Sequence, residues 1–184
     1  MARPLEFNRE EAIAKAMKVF LRQGYEGTSI DDLTTALGIS RASLYNSFGD
    51  KRGLMLETLG CASRLTQEFR DSALGCPGPA REVLAKFFHN LAKRENPGCY
   101  FLSLGSELAS EDPEVRKRVK AALDASRNLF REVLAREGRW TGEEVEKRSA
   151  ALLGTMVSIL MLVRVYCGNA VLEPVIEHAL TVLD

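Results

Sequence analysis

Within two helical turns the sequence places Ser40, Arg41, Ala42, Ser43, Tyr45 and Asn46. These side chains are small, polar or able to hydrogen-bond. On one short helix they form the kind of surface that the major groove of DNA accepts. Upstream lie Leu33 and Leu37, then Gly38 and Ile39, and Leu44 stands among the residues of that helix. That pattern fits two short helices crossing steeply around a tight turn, with glycine where a positive φ is required. Leu33, Leu37, Ile39 and Leu44 are the apolar pins of the pair. The stretch TSIDDLTTALGISRASLYNSF, residues 28–48, therefore reads as a helix-turn-helix.

Other chemistries find little support. His89 and His178 lie far apart, and neither has a nucleophile or carboxylate partner by motif. There is no glycine-rich phosphate loop. Cys61, Cys76, Cys99 and Cys167 form no C-x-x-C pair and no zinc-ligand spacing. We expect no enzymatic activity, no cofactor and no metal. The thiols are expected to be reduced and the protein cytoplasmic, because Met1 to Phe7 is short and polar rather than a secretory leader. The apolar run from Ala150 to Val163 is too short to cross a bilayer comfortably, so no membrane role is expected.

Charge gives no direct pointer to nucleic acid. Lysine plus arginine total 25, aspartate plus glutamate total 25, and the formal net charge is zero. Residues 1–52 carry eight basic and seven acidic side chains, an excess of one. That counts against a disordered basic binder, whose affinity comes from overall charge. A folded reader needs only the right charges on its docking face.

The elements that must position these side chains are helical throughout. Asn8 with Glu11 starts a helix that runs to Gln23, with Ile13, Met17, Phe20 and Leu21 on one face, and Gly24 ends it. Thr28 caps a second helix carrying Ile30, Leu33 and Leu37. Ser40 caps a third, carrying Leu44, Tyr45 and Phe48. Asp50 caps a fourth that runs towards Leu74. Gly75-Cys76-Pro77-Gly78-Pro79 is a loop. A fifth helix covers roughly residues 80–95, Asn96-Pro97-Gly98 interrupts, and a sixth covers about 99–109. Asp112-Pro113 opens a seventh to about Glu137, striped by Val115, Val119, Ala122, Ser126, Leu129 and Val133. Thr141 with Glu144 opens an eighth to about Cys167. Gly168-Asn169 separates it from a ninth. The fold class expected is all-α. Residues 1–50 form a three-helix DNA-binding domain, and residues 51–184 a ligand-binding and dimerisation domain of about six helices.

The segments FLRQGYEGTSIDDL (20–33) and GISRASLYNSFGDK (38–51) resemble the tetracycline-repressor-type, or TetR, family of regulators. The resemblance covers about residues 8–58, with the spacing of glycine, tyrosine, phenylalanine and lysine all fitting. One departure is Thr34, where the family more often has alanine. A threonine there can bond the backbone one turn earlier. Beyond residue 58 only the number and lengths of helices match.

The resemblance implies roles. Thr28, with its neighbour Ser29 at a helix N-terminus, would hold a phosphate by hydroxyl and backbone N–H. Tyr45 and Lys51 would reach phosphates. Arg41, Ser43 and Asn46 would face base edges, flanked by Ser40 and Ala42. Arg41 best suits a guanine, whose O6 and N7 match its fork. The partners implied are double-stranded operator DNA, a small-molecule inducer and a second copy of the chain. The function implied is a ligand-released repressor on a palindromic operator.

Helix eight is apolar almost all round, which suits a helix buried on two sides. Leu153, Val157, Leu160, Met161 and Arg164, with Val175 and Ala179 of helix nine, are the candidate dimer interface. Gly154 and Ser158, four apart, would allow close approach. Candidate ligand-lining residues are Phe87, Phe88, Leu91, Phe101, Leu102, Phe130 and Met156, with Arg127 or Arg164 for an anionic ligand or, equally, for a salt bridge. Cys99 follows Pro97-Gly98 at a helix start, where the dipole favours thiolate. Gly98-Cys99 also resembles the start of helix six in the electrophile-sensing branch of the family. Two alternatives stay open: a redox- or electrophile-sensing regulator acting through Cys99, and a helical binding module with a degenerate helix-turn-helix.

Overall fold

The computed structural model describes residues 7–74, 76–93, 99–165 and 168–184. The expected loop residue Gly75, the Asn96-Pro97-Gly98 break and Cys167 lie outside the described residues. Among the described residues the order is α1 (Arg9–Gln23), α2 (Ile30–Leu37), α3 (Arg41–Phe48), α4 (Lys51–Leu74), α5 (Ala80–Ala92), α6 (Tyr100–Leu108), α7 (Pro113–Ala135), α8 (Gly142–Arg164) and α9 (Asn169–Leu180). A 3-10 turn, Thr181–Leu183, closes the chain, and no strand occurs among the described residues.

Local signals set most helix ends. Asn8 caps α1 by accepting from the N–H groups of Glu10 and Glu11. Thr141 and Glu144 form a reciprocal capping box at α8. At α2 the cap stands one residue later than expected: Ser29, not Thr28, accepts from Asp32 N, and Asp32 returns the bond. Both Thr28 and Ser29 have an acid three residues on, but the Thr28 hydroxyl is taken by Gly24 O and the Asp31 carboxylate by Arg41, which leaves Ser29 and Asp32 to form the box.

Packing divides the chain into two compact units: residues up to Leu65 together with Tyr100–Val119, and Thr66–Cys99 together with Lys120–Asp184. Residue 50 falls inside the first unit, since α4 runs on unbroken and α6 joins from far along the chain.

In the first unit α1 packs on α2 and α6, and α2 on α3. Phe20, Leu33, Leu44, Leu54, Met55, Leu59 and Leu104 are fully buried. The buried stripe of α1 is Ala12, Ile13, Ala16, Val19 and Phe20. Met17 and Leu21, expected on that face, are half-buried beside it. Thr58, also buried, donates to Met55 O at 2.5 Å and shares a 2.5 Å hydrogen bond with the Tyr100 hydroxyl, tying α4 to α6.

In the second unit α5, α8 and α9 pack against one another. Phe87, Phe88 and Phe130 form an aromatic cluster with ring centroids 5.4, 5.5 and 6.0 Å apart, two of the pairs edge-to-face. On α7, Ser126, Leu129, Phe130 and Val133 are buried. No helix of the described residues is long and apolar enough to cross a membrane.

Candidate nucleic-acid interface

The helix-turn-helix is held from beneath by Leu33, Leu37, Leu44 and Phe48, all buried. Gly38 sits between the helices at φ 69° and ψ 32°, in the left-handed region, and its N–H donates to Thr34 O. A side chain there would be strained by the backbone alone, since an added Cβ would meet nothing within 4 Å. Thr34 tolerates its position by donating its hydroxyl to Asp31 O at 3.1 Å.

This scaffold presents one face of α3 outward. Ser40, Arg41, Ala42, Tyr45 and Asn46 are exposed, and Ser43 is half-buried. Tyr45 is 47% exposed, so its phenol is available to a partner rather than spent in the core. Ser40 caps α3 by accepting from Ser43 N at 3.1 Å, and the two hydroxyls share a hydrogen bond at 2.9 Å. Arg41 is engaged by Asp31 of α2 at 2.7 Å.

Two expected phosphate ligands are used differently. Thr28 is 1% exposed. Its hydroxyl donates to Gly24 O at 2.5 Å and its N–H to Tyr25 O at 3.2 Å. Both donors assigned to a phosphate are consumed inside the α1–α2 turn. Ser29, at the true N-terminus of α2, is exposed instead, with its hydroxyl donating to Asp32. Lys51 donates to Tyr25 O and Thr28 O, both at 3.0 Å, and lies 4.2 Å from the Tyr25 ring centroid. Two of its three N–H donors therefore bind the turn, leaving one for a phosphate.

Sequence reading missed three contacts that hold this head. Glu107 of α6 accepts from the N–H groups of Tyr25 and Glu26 at 2.9 and 2.6 Å. Arg52 pairs with Asp112 at 2.8 Å. Arg9 donates to both carboxylate oxygens of Glu57 and lies 4.9 Å from the Phe48 ring. The Arg9 hydrogen bond holds the Glu57 carboxyl below its ordinary range. No local pattern signals contacts between such distant positions.

The candidate ligand residues separate. Phe88 and Phe130 are fully buried in the aromatic cluster, and Leu91 and Met156 are buried in the same unit. Leu102, half-buried, and Phe101, buried, belong to the first unit. Arg127 is not a poised anion ligand. It binds Glu146 Oε2 at 2.9 Å and Glu146 O at 3.1 Å, and Arg131 binds the same carboxylate at 2.6 Å. That is the salt-bridge alternative, formed because Glu146 lies across from both arginines on α8. Cys99 is half-buried directly before α6.

The dimer candidates separate too. α8 buries one stripe in its own unit: Ser149, Leu152, Met156, Ile159 and Leu160. Leu160 and Ala179, expected at a partner, are each 5% exposed and belong to this core. Leu153, Val157, Arg164 and Val175 are half-buried, while Gly154, Ser158 and Met161 are exposed. Among the described residues no cluster of metal-ligating side chains is found.

Two short helices pinned by a shared apolar core, with the polar face of the second turned outward, have the architecture of a helix-turn-helix DNA-binding domain. Residues 12–58 match the model of bacterial regulatory proteins of the tetR family. The chain is 30% identical over 141 residues to the HTH-type transcriptional repressor BdcR of Escherichia coli K12, covering 73% of this chain and 69% of that one. It is 28% identical, over the full length of both, to the HTH-type transcriptional regulator YezE of Bacillus subtilis 168. Among solved structures it resembles a cysteine mutant of the TetR family transcriptional regulator CifR complexed with 26-bp operator DNA. There the identity is 29%, the TM-score 0.85, and the coverage 97% of this chain and 98% of that one. The chain belongs to the TetR family of transcriptional regulators, which bind DNA and are not enzymes.

Proposed function

We propose that the protein is a homodimeric, cytoplasmic repressor that binds a palindromic operator and is released by a small-molecule inducer. The observation that carries this reading is the exposed face of α3, mounted on a fully packed helix pair. The helix-turn-helix and the start of α4 read DNA. Arg41, Ser43 and Asn46 face base edges, with Ser40 and Ala42 at the groove wall. Tyr45, Ser29 and the remaining N–H of Lys51 face phosphates.

One short helix reads few base pairs, so specificity calls for two copies spaced by about one helical turn of DNA, roughly 34 Å, or a multiple of it. Support for a second copy comes from the outer face of α8 and α9. Met161, Val165 and Val171 are 48%, 64% and 45% exposed. Gly154 lies on that side with open space where a Cβ would stand. Large apolar side chains left exposed at several places on one pair of packed helices are a mark of association.

Residues 51–184 also carry the inducer site. Phe88, Leu91, Phe130 and Met156 give it an apolar, aromatic lining suited to a hydrophobic ligand. The inducer acts only through its different affinity for DNA-competent and incompetent states. BdcR carries the name of a repressor, which favours repression over activation.

Selection from a pool of random duplexes tests the reading. The expected result is a two-fold-symmetric sequence bound with a steep salt dependence. Enrichment of no sequence would reject it. A screen for small molecules that lower affinity for the selected duplex then tests release. A compound that binds without changing DNA affinity is not the inducer.

A further inference from the structure

Arg41 opens α3, and α2 sets an acid against it. Asp31 Oδ1 accepts from Arg41 Nε at 3.0 Å and from Nη2 at 2.7 Å, and Asp31 Oδ2 accepts from Nη2 at 2.7 Å. The side chains are 63% and 68% exposed. An ion pair so open to water adds little to fold stability. Its consequence is geometric.

A guanidinium is a rigid planar fork with five N–H donors. Asp31 covers the side edge, Nε with Nη2. Nη1 takes no part in that pair. The tip edge, made by Nη1 and the outward N–H of Nη2, is the edge whose spacing fits the O6 and N7 acceptors of guanine. An arginine already held in one orientation also loses less side-chain freedom on docking. Asp31 has a second effect. Its carboxylate sits beside the docking face, where it repels phosphate unless Arg41 covers it. Neighbouring Asp32 is already occupied by the Ser29 cap.

We propose that Asp31 is a specificity-determining residue: it grips the side edge of Arg41 and presents the tip edge to a guanine in the operator half-site. This rests on the reading of Arg41 as a base contact. Asp31 touches no base in this scheme; it acts by positioning Arg41.

The test uses the full chain and the duplex that the wild-type protein selects from a random pool. Affinity is measured for that duplex and for versions with each base pair changed in turn. The proteins are wild type, Arg41→Ala, Asp31→Ala and the double variant. Both positions are exposed, and equal unfolding midpoints confirm intact folding. Arg41→Ala is expected to lose on the order of ten-fold discrimination at one guanine per half-site. Asp31→Ala is expected to lose on the order of ten-fold at the same base pair and no other, while binding random DNA as well as wild type or better. In the Arg41→Ala background, Asp31→Ala should change nothing at that base pair.

If Asp31→Ala keeps or sharpens the guanine preference that Arg41→Ala abolishes, positioning is overturned while the Arg41 contact stands. Equal loss at every base pair also overturns it, since that marks a general charge effect. If Arg41→Ala leaves every preference intact, or wild type selects no sequence, the underlying reading fails and the proposal fails with it.

Discussion

The Glu107 carboxylate on α6 accepts the Tyr25 backbone N–H at 2.9 Å, across 82 residues of sequence. The same carboxylate takes the Glu26 N–H at 2.6 Å. Gly24 makes room for it: an added Cβ there would stand 3.1 Å from Glu107 Oε2. The turn that leads into the DNA-reading helices is thus fastened by a side chain far along the chain. Each bond is charge-assisted and partly screened by solvent.

Glu107→Ala should cost about 2 kcal/mol, from two charge-assisted bonds and the backbone donors they leave unpaired. Glu107→Gln, which retains one acceptor oxygen, should cost less. Urea unfolding gives the energies, and amide exchange should speed up first at Tyr25 and Glu26. Unchanged exchange at those two amides would show that the clamp does not hold the turn.

Acid should weaken the head through Asp112. Its carboxyl is lowered from 3.8 to about 2, mainly by the Arg52 hydrogen bond and further by the N–H groups of Val115 and Glu114. A carboxyl whose folded value is depressed stabilises the fold above its unfolded value. That contribution fades as pH falls through the window between them. The stability gap between wild type and Asp112→Asn should stay constant above about pH 4 and shrink towards about pH 2. Urea midpoints measured across that range check it, and a gap independent of pH would contradict it. Comparison with the variant removes the parallel titration of Glu57 and Glu146, also lowered by arginine partners.

Gly38→Ala should destabilise the fold by about 1 kcal/mol, purely through the backbone. The site has space for a methyl group but not the φ that alanine prefers. Gly38→Asn should be milder, because asparagine enters the left-handed region more readily. Denaturant midpoints for the three proteins give the order. Equal stability of the alanine variant would mean that the turn does not hold this conformation in solution.

Met161→Glu should convert the proposed dimer to monomer without unfolding it, since Met161 is half exposed in the chain by itself. Losing the second half-site contact should lower operator affinity on the order of 100-fold. Sedimentation, circular dichroism and operator titration report the three effects separately. A variant that remains dimeric would move the interface elsewhere.

The sequence by itself determined the helices and the helix-turn-helix. Gly38, the Ser40 cap and the period of Leu33, Leu37 and Leu44 are local signals, and local hydrogen bonding and burial obey them. The family was legible for the same reason, in the short stretch where spacing is tightly constrained. Only the tertiary structure decided how side chains are used once distant segments meet. Thr28 and Ser29 each have an acid three residues on, and the fold chose between them: Thr28 turned inward to Gly24 O, Asp31 went to Arg41, and Ser29 paired with Asp32. Lys51 reached back to the Tyr25 and Thr28 carbonyls, and Asp31 took an edge of Arg41. An apolar α8 gives no sign of which of its sides meets its own core. Packing of α8 against α5 and α9 turned Leu160 inward and left Met161 outside, and the same packing turned Ala179 of α9 inward. Periodicity encodes a face, whereas a partner for that face is set by three-dimensional proximity, which no window of sequence contains.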